Sequence, residues 1–503
     1  MSFASLRSLA VLLVAVALPA DTVEQGPRNS PPSGLRAGVA RADITPPAGI
    51  AQMNWGSQTH VAADGVDPAR MLATALVLES DGTLVALVDI DRLFADGLEE
   101  AAERASALTG IPRAHIQLGA THTHAGPLVN AEKGPPGVDL QAHVELVERD
   151  RRAAIDRIVG AIVEAHARLQ PAHLYGGRGR GTININRRVR ASGDAPPSVG
   201  RNPDGYVDRE LVVFRVDDAA GRSLAVLANF QCHGTVLAYD NRKLSPDWIG
   251  MTRQTIEGAL PGSLALFFQG AAGNQGPVEG FTGDLGVAHR LGRILGHQAA
   301  AVALEVETVR RDPTFEGYVE STAFQAKQHW RVKGPRDATL ADASTIVETP
   351  RRRYSESEIA ARVERARGQL AAAEASGDEW NIFQAGARLR RFSDLLAKWT
   401  GPVDEGPRTV EVQALRLGDV ALVAMPGEPF AEIGAEVKRR SPFAFTMFRG
   451  YVAGQGGGYM PTADGYRHGG YEVERTPYGP GADRAVVEAA VRLLDSLYRG
   501  GTK

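Results

Sequence analysis

Short, almost wholly apolar runs alternate along this chain with longer stretches in which apolar residues return every three or four positions. Positions 72–78 and 84–90 are two such runs, joined at Asp81-Gly82, and the combination predicts a β-hairpin. Further strands are predicted over 114–118, 211–216, 224–230, 264–268, 409–417, 420–425 and 443–452, with Gly418-Asp419 forming a second tight turn. Three- and four-residue spacing predicts helices over 95–108, 142–169, 248–259, 284–304 and 483–498. Pro171 closes the second of these, and Asp247 is placed to cap the third. Residues 355–399 are rich in Ala, Arg and Glu and predict a helical hairpin broken at Gly377-Asp378. It reads as an insertion in the domain. The expected fold class is α/β, with mixed β-sheets flanked by helices.

The N-terminus follows a different pattern. Arg7 precedes an apolar run over 9–18, and the small residues Ala17 and Ala20 close it. This is the signature of an export signal over 1–20, too short to span a bilayer comfortably. The chain is therefore expected outside the cytoplasm, periplasmic or extracellular. A Pro-, Gly- and Ser-rich linker follows over 21–36, and 37–503 is expected to form the functional domain. The charged residues, 56 basic and 59 acidic, leave a net charge of −3, so no basic footprint for nucleic acid is present. Cys232 is the only cysteine, which rules out an intramolecular disulfide and a multi-cysteine zinc site. A bound metal would have to rely on histidine, carboxylate or phenolate.

Five polar or glycine-rich segments each follow a predicted strand: 121–126, 231–235, 269–276, 426–429 and 454–462. Ligands of open α/β sheets gather outside the carboxyl ends of strands, so these segments are expected to converge on one rim. In the first, His122 and His124 lie two apart. On an extended chain they would share a face and could reach one metal, although a solvated strand end would look the same. His233 follows a buried run and reads as a ligand or as a rim histidine. Glu428 sits between two prolines and reads as a directed carboxylate or a helix N-terminal acid. Tyr459 follows three glycines. The 269–274 loop reads as a backbone-amide loop for an oxyanion or as tight packing. Asp247 and Asp91 are candidates to orient ligand histidines, with a helix cap and a turn as their plain alternatives. Trp55, Trp248 and Phe430 are candidates to line an apolar pocket, or simply to fill the core.

Taken in order, the segments resemble one family. The pieces are Gly38-Val-Ala-Arg-Ala-Asp-Ile-Thr-Pro46, Gly119-Ala-Thr-His-Thr-His-Ala-Gly-Pro127, Ile185-Asn-Arg187, Asn229-Phe-Gln-Cys-His-Gly234 and Pro246-Asp-Trp-Ile-Gly250, then Phe268-Gln-Gly-Ala-Ala-Gly273, Val423-Ala-Met-Pro-Gly-Glu428, Tyr459-Met-Pro-Thr462, Tyr471-Glu472 and Tyr478-Gly-Pro480. Over about 38–498 the chain resembles the catalytic domain of the neutral/alkaline non-lysosomal ceramidases, zinc amidases that split N-acyl sphingosines. The resemblance implies a neutral-ceramidase-like fold and Zn2+ held by His122, His233, Glu428 and Tyr459. It also implies His124, Arg187 and Tyr471 at the reacting group. The implied reaction is hydrolysis of an N-acyl amide by zinc-bound hydroxide. The implied partner is a small-molecule or lipid substrate, with room for peripheral membrane contact. Two positions depart from the pattern: the family's loop serine aligns with Gly276, and its aspartate with Asn274. Other hydrolases on the same scaffold, cleaving an ester, lactone or glycosidic bond, and a non-catalytic, envelope-associated binding protein are the alternative readings.

Overall fold

A computed structural model describes residues 34–128, 139–190, 197–352, 355–399 and 406–500. The expected export signal and nearly all of the linker lie outside the described residues.

Two sheets stack face to face, with helices on both outer surfaces. The larger has eight strands, in the order Leu264–Gln269, Ser223–Phe230, Glu210–Asp218, Gln170–Arg180, Arg36–Asp43, Leu72–Ser80, Thr83–Ile90 and Ile116–Ala120. The smaller has four: Leu340–Thr349, Arg408–Leu417, Val420–Ala424 and Phe445–Arg449. The apolar runs are continuous because both faces of these strands are covered. In Leu72–Ser80, Ala73, Ala75 and Val77 meet the helices Glu100–Thr109 and Val144–Ala167, while Leu76 and Leu78 turn to the second sheet. In Leu264–Gln269, Ala265 and Phe267 pack under Trp248–Ala259 and Leu285–Glu305, while Leu266 and Phe268 enter the layer between the sheets. The small sheet shows the same alternation: Leu422 faces inward, and Ala421 and Val423 face the helices Ala431–Arg440 and Ala482–Gly500.

Within these two sheets most neighbouring strands are antiparallel, but three pairs are parallel: Thr83–Ile90 with Ile116–Ala120, Ser223–Phe230 with Leu264–Gln269, and Val420–Ala424 with Phe445–Arg449. Each of the five polar segments leaves the carboxyl end of a strand in one of these pairs. They are stitched together there by a Thr123–Gly234 bridge, by the Gly273 N–H donating to the Pro429 carbonyl at 2.8 Å, and by the pairing of Glu428 with Tyr459. Gly234 and Gly273 are required by this closeness. A Cβ at Gly234 would lie 2.9 Å from the His122 carbonyl oxygen, and one at Gly273 only 2.4 Å from that of Glu428.

The structure adds strands that the apolar pattern does not mark. Gln170–Arg180 is central to the large sheet yet glycine-rich, because Phe214 and Val302 pack directly on Gly176 and Gly179. Val309–Val319 and Gln325–Pro335 pair as a hairpin exposed on both faces, so no alternation of buried and open positions betrays it. The strand expected over 443–452 is shorter, Phe445–Arg449, because Tyr451 adopts a left-handed backbone (φ 61°). Two helices, Glu356–Ser376 and Glu379–Trp399, turn about the left-handed Gly377.

Candidate metal centre

His122 and His124 do meet, though not on an extended strand. His122 has φ 64°, and the two rings approach edge to face with their Nε2 atoms 3.3 Å apart. Positive φ is costly for a residue with a side chain. Five described non-glycine residues show it: Asp81, in a turn, and His122, Asp247, Phe281 and Tyr451. These last four surround the centre. Tyr451 lies 4.3 Å from the His122 ring, Phe281 packs on the Trp55 that covers His124, and Asp247 heads the helix whose Trp248 indole donates to the His233 carbonyl. Strain of this kind persists where the surroundings over-determine it, and it clusters at functional sites.

Backbone carbonyls settle the tautomers of two histidines. The Nδ1 of His122 faces the Leu93 carbonyl at 2.7 Å, and that of His233 faces the carbonyls of Ala272 at 2.8 Å and Gln275 at 3.1 Å. A carbonyl only accepts, so each Nδ1 is the donor and each Nε2 is turned inward. Both Nε2 atoms meet one carboxylate: Glu428 Oε2 lies 3.4 Å from His122 Nε2 and 3.2 Å from His233 Nε2. Protonating His233 would strengthen this contact, but burial, with Arg187 nearby, pushes its pKa down to about 3. Burial and the neighbouring His122 and His233 likewise hold His124 well below the ordinary imidazole range. Two inward imidazole nitrogens and a carboxylate oxygen brought together in a buried site suit a divalent cation.

His122, His124 and His233 each bring a ring nitrogen within 4.8 Å of the others. Geometry therefore groups His124 with the candidate ligands, although the resemblance set it beside them. Its Nδ1 is buried without a hydrogen-bond partner among the described residues. Tyr459 stands next to Glu428 in a parallel pair, and its hydroxyl accepts from Arg187 at 3.0 Å. Burial and Glu428 raise its pKa well above the usual phenol value, with Arg187 opposing, so a ligand role requires the field of the metal. Arg187 also donates to Glu472 at 2.9 Å, and Arg188 donates to the same carboxylate at 2.5 Å. Tyr471 packs its ring 5.6 Å from that of Tyr459.

Several expectations are corrected. Asp247 touches no histidine side chain; it accepts from Trp248 N and Leu237 N and caps its helix. Asp91 accepts from Thr121 and Leu72 and pairs with Arg253, bracing the chain one residue before His122. The histidines are oriented by carbonyls instead. In the 269–274 loop, Gly270 N donates to the Phe230 carbonyl and Gly273 N to that of Pro429, and the Ala272 carbonyl accepts from His233. Of the three aromatics, only Trp55 reaches the centre, 4.6 Å from His124. Trp248 is fully buried against Phe267, and Phe430 lies under Arg188. At the departing positions, Asn274 donates to Glu432 and accepts from Ala431 N, an arrangement in which aspartate would oppose Glu432. A Cβ at Gly276 would make an ordinary 3.4 Å contact with Arg187. Two residues lacked any assigned role in the sequence reading: Glu472, marked only by its place after Tyr471, and Tyr451, which carries no signal.

The depressed His233 pKa has a measurable sign. Between about pH 3 and 6.5 the unfolded chain takes a proton at this position that the folded chain refuses. Metal-free wild type should therefore lose its stability advantage over His233→Gln as pH falls below 6.5, by up to about 1.4 kcal/mol per pH unit. Asp247, pushed up to about 7 by burial, works in the opposite direction over pH 4–7 but is common to both proteins, so the difference isolates His233. Denaturant titrations of both from pH 7.5 to 4.5 measure it; a pH-independent difference would mean His233 protonates freely in the fold.

Residues 35–282 match the family model for neutral/alkaline non-lysosomal ceramidase, N-terminal. A neutral ceramidase of Pseudomonas aeruginosa is 26% identical over 92% of this chain and 72% of its own length. Neutral ceramidase A of Dictyostelium discoideum is 25% identical over 55% of this chain, but the match spans only 41% of that protein. The crystal structure of the P. aeruginosa neutral ceramidase superposes with a TM-score of 0.61 at 22% identity, covering 94% of this chain and 75% of that one.

Proposed function

The chain belongs, through residues 35–282, to the neutral/alkaline non-lysosomal ceramidase family, and from that premise we propose that it is a zinc-dependent hydrolase of N-acyl amides. One observation carries the reading: two imidazoles whose Nδ1 atoms are fixed by backbone carbonyls turn their Nε2 atoms, with the Glu428 carboxylate, into one buried site. His122, His233, Glu428 and Tyr459 would hold the ion. Zinc, when bound, supplies a water of lowered pKa and polarises the substrate carbonyl.

The rest is the work of this chain. Leu93, Ala272 and Gln275 keep the two imidazoles turned inward. Arg187 is fixed by Glu472 through Nε and has its other amine on the Tyr459 hydroxyl, where it stabilises negative charge growing on the carbonyl oxygen. Burial keeps His124 neutral, and its ring, with Nε2 turned to the centre, would carry a proton to the departing nitrogen. Tyr471 faces the reacting group beside Tyr459. Ceramide, the N-acyl lipid named for the relatives, is the first substrate to test, with Gly276 and Asn274 marking where the pocket departs. The export signal read in residues 1–20 supports a place outside the cytoplasm; among the described residues no helix is long and apolar enough to cross a membrane.

The test is metal content measured together with turnover. The purified chain should carry about one zinc, as one such site requires, and release amine from N-acyl sphingosine or a related amide. A chelator should abolish this and added zinc restore it. Zinc with turnover only of an ester, lactone or glycoside would change the bond type. Zinc without any turnover would favour a binding protein, and absence of zinc would reject the proposal.

A further inference from the structure

The helix Tyr471–Arg475 has only five residues, yet it joins two parts of the molecule. Its first two residues serve the site: Tyr471 packs on Tyr459, and Glu472 holds Arg187 and Arg188. Its last two face the helical insertion. Glu474 pairs with Arg362 at 3.1 Å and with Arg391, and Arg475 pairs with Asp394. The Arg391 guanidinium also lies 5.6 Å from the centre of the Tyr471 ring. So short a helix gains little from its own hydrogen bonds, and its position depends on what holds it.

The same insertion helix reaches the opposite rim. Arg390, one residue before Arg391, donates to the Gly56 carbonyl at 3.3 Å, and Gly56 follows the Trp55 that covers His124. Phe383, two turns earlier, packs 5.8 Å from Tyr239, in the segment after His233. Contacts to both rims place Glu379–Trp399 across the mouth of the site.

We infer that the helical insertion is part of the catalytic apparatus: it straps the two rims together, and Arg391 and Asp394 are positioning residues for Tyr471. An isolated surface ion pair contributes little, but here Glu474 with Arg362 and Arg391, and Arg475 with Asp394, form two adjoining, partly buried sets that together fix a helix otherwise free to shift. The inference rests on the amidase reading for its kinetic arm and is independent of it for its structural arm.

Asp394→Arg sets like charge against Arg475, and Asp394→Arg/Arg475→Asp restores the pair reversed. With an amide substrate, the single variant should lower kcat by roughly ten- to a hundredfold, as displacement of a reacting group by about 1 Å does, with KM changed far less. The double variant should recover most of the loss. Hydrogen exchange at the amides of 471–475 should quicken in the single variant and slow again in the double, while the global unfolding midpoint stays put. Arg391→Ala should act on kcat and exchange in the same direction. Unchanged kcat and unchanged exchange in a folded Asp394→Arg protein would overturn the inference, as would a loss that the reversed pair fails to rescue. If the wild type cleaves no amide, the amidase reading fails, and exchange at 471–475 alone still decides whether the insertion holds this helix.

Discussion

His122→Ala and His233→Ala proteins are expected to purify without stoichiometric metal and to cleave amides at least about a thousandfold more slowly than the parent chain. Each substitution removes one of the inward imidazole nitrogens, leaving Glu428 with a single imidazole partner. At position 122 the backbone adds a second effect, because φ 64° disfavours alanine. His122→Asn tolerates that conformation and separates loss of the ligand from strain. His124→Ala is the informative companion. If the ion is held by His122, His233, Glu428 and Tyr459, this variant keeps its metal and loses rate through the missing proton carrier. If it loses the metal as well, the three-histidine cluster is the ligand set, and Tyr459 is released to act through its hydroxyl. Full metal content in both His122→Ala and His233→Ala would remove the centre proposed here.

The rim was legible because each site segment follows an apolar run that is a strand buried on both faces. His122, His233 and Glu428 stand within a few residues of such strand ends, so their convergence follows from topology once three parallel pairs form, while Tyr459 is reached only after a glycine-rich loop beyond Arg449. What orients them was not legible. The partners of His122 and His233 are backbone carbonyls, which every residue possesses, so no residue type marks Leu93 or Ala272. The aspartates that looked suited to that role are taken up elsewhere, Asp247 in its cap and Asp91 with Arg253. Tyr451 was invisible for another reason. Its importance lies in a left-handed backbone and a ring laid on His122, and neither leaves a pattern in a single sequence. The helical hairpin over 355–399 announced itself by composition, but its ion pairs with a helix some 80 residues later in the chain appear only once the fold is assembled.

Glu472 illustrates the same limit and carries the second large expected effect. Its carboxylate is 1% exposed and is shared by two guanidiniums, those of Arg187 (6% exposed) and Arg188 (9% exposed). Removing one member of a buried charged set leaves the others desolvated and unpaired, which costs about 3–5 kcal/mol. Glu472→Ala should therefore lower the free energy of unfolding by about that amount, seen as a reduced denaturant midpoint at unchanged slope. Glu472→Gln keeps one acceptor, and its cost should be smaller. Activity should fall beyond what stability explains, because Arg187 loses the bond that fixes its Nε while the opposite amine rests on Tyr459. Metal content should survive, since Glu472 bonds arginines and none of the inward-facing groups. A fully folded Glu472→Ala protein with a loss under about 1 kcal/mol would mean that water reaches both arginines. In that case Arg187 could not provide the dry, pre-set positive charge assigned to it. Loss of metal in this variant would instead place Glu472 among the supports of the centre itself, acting through Arg187 and Tyr459.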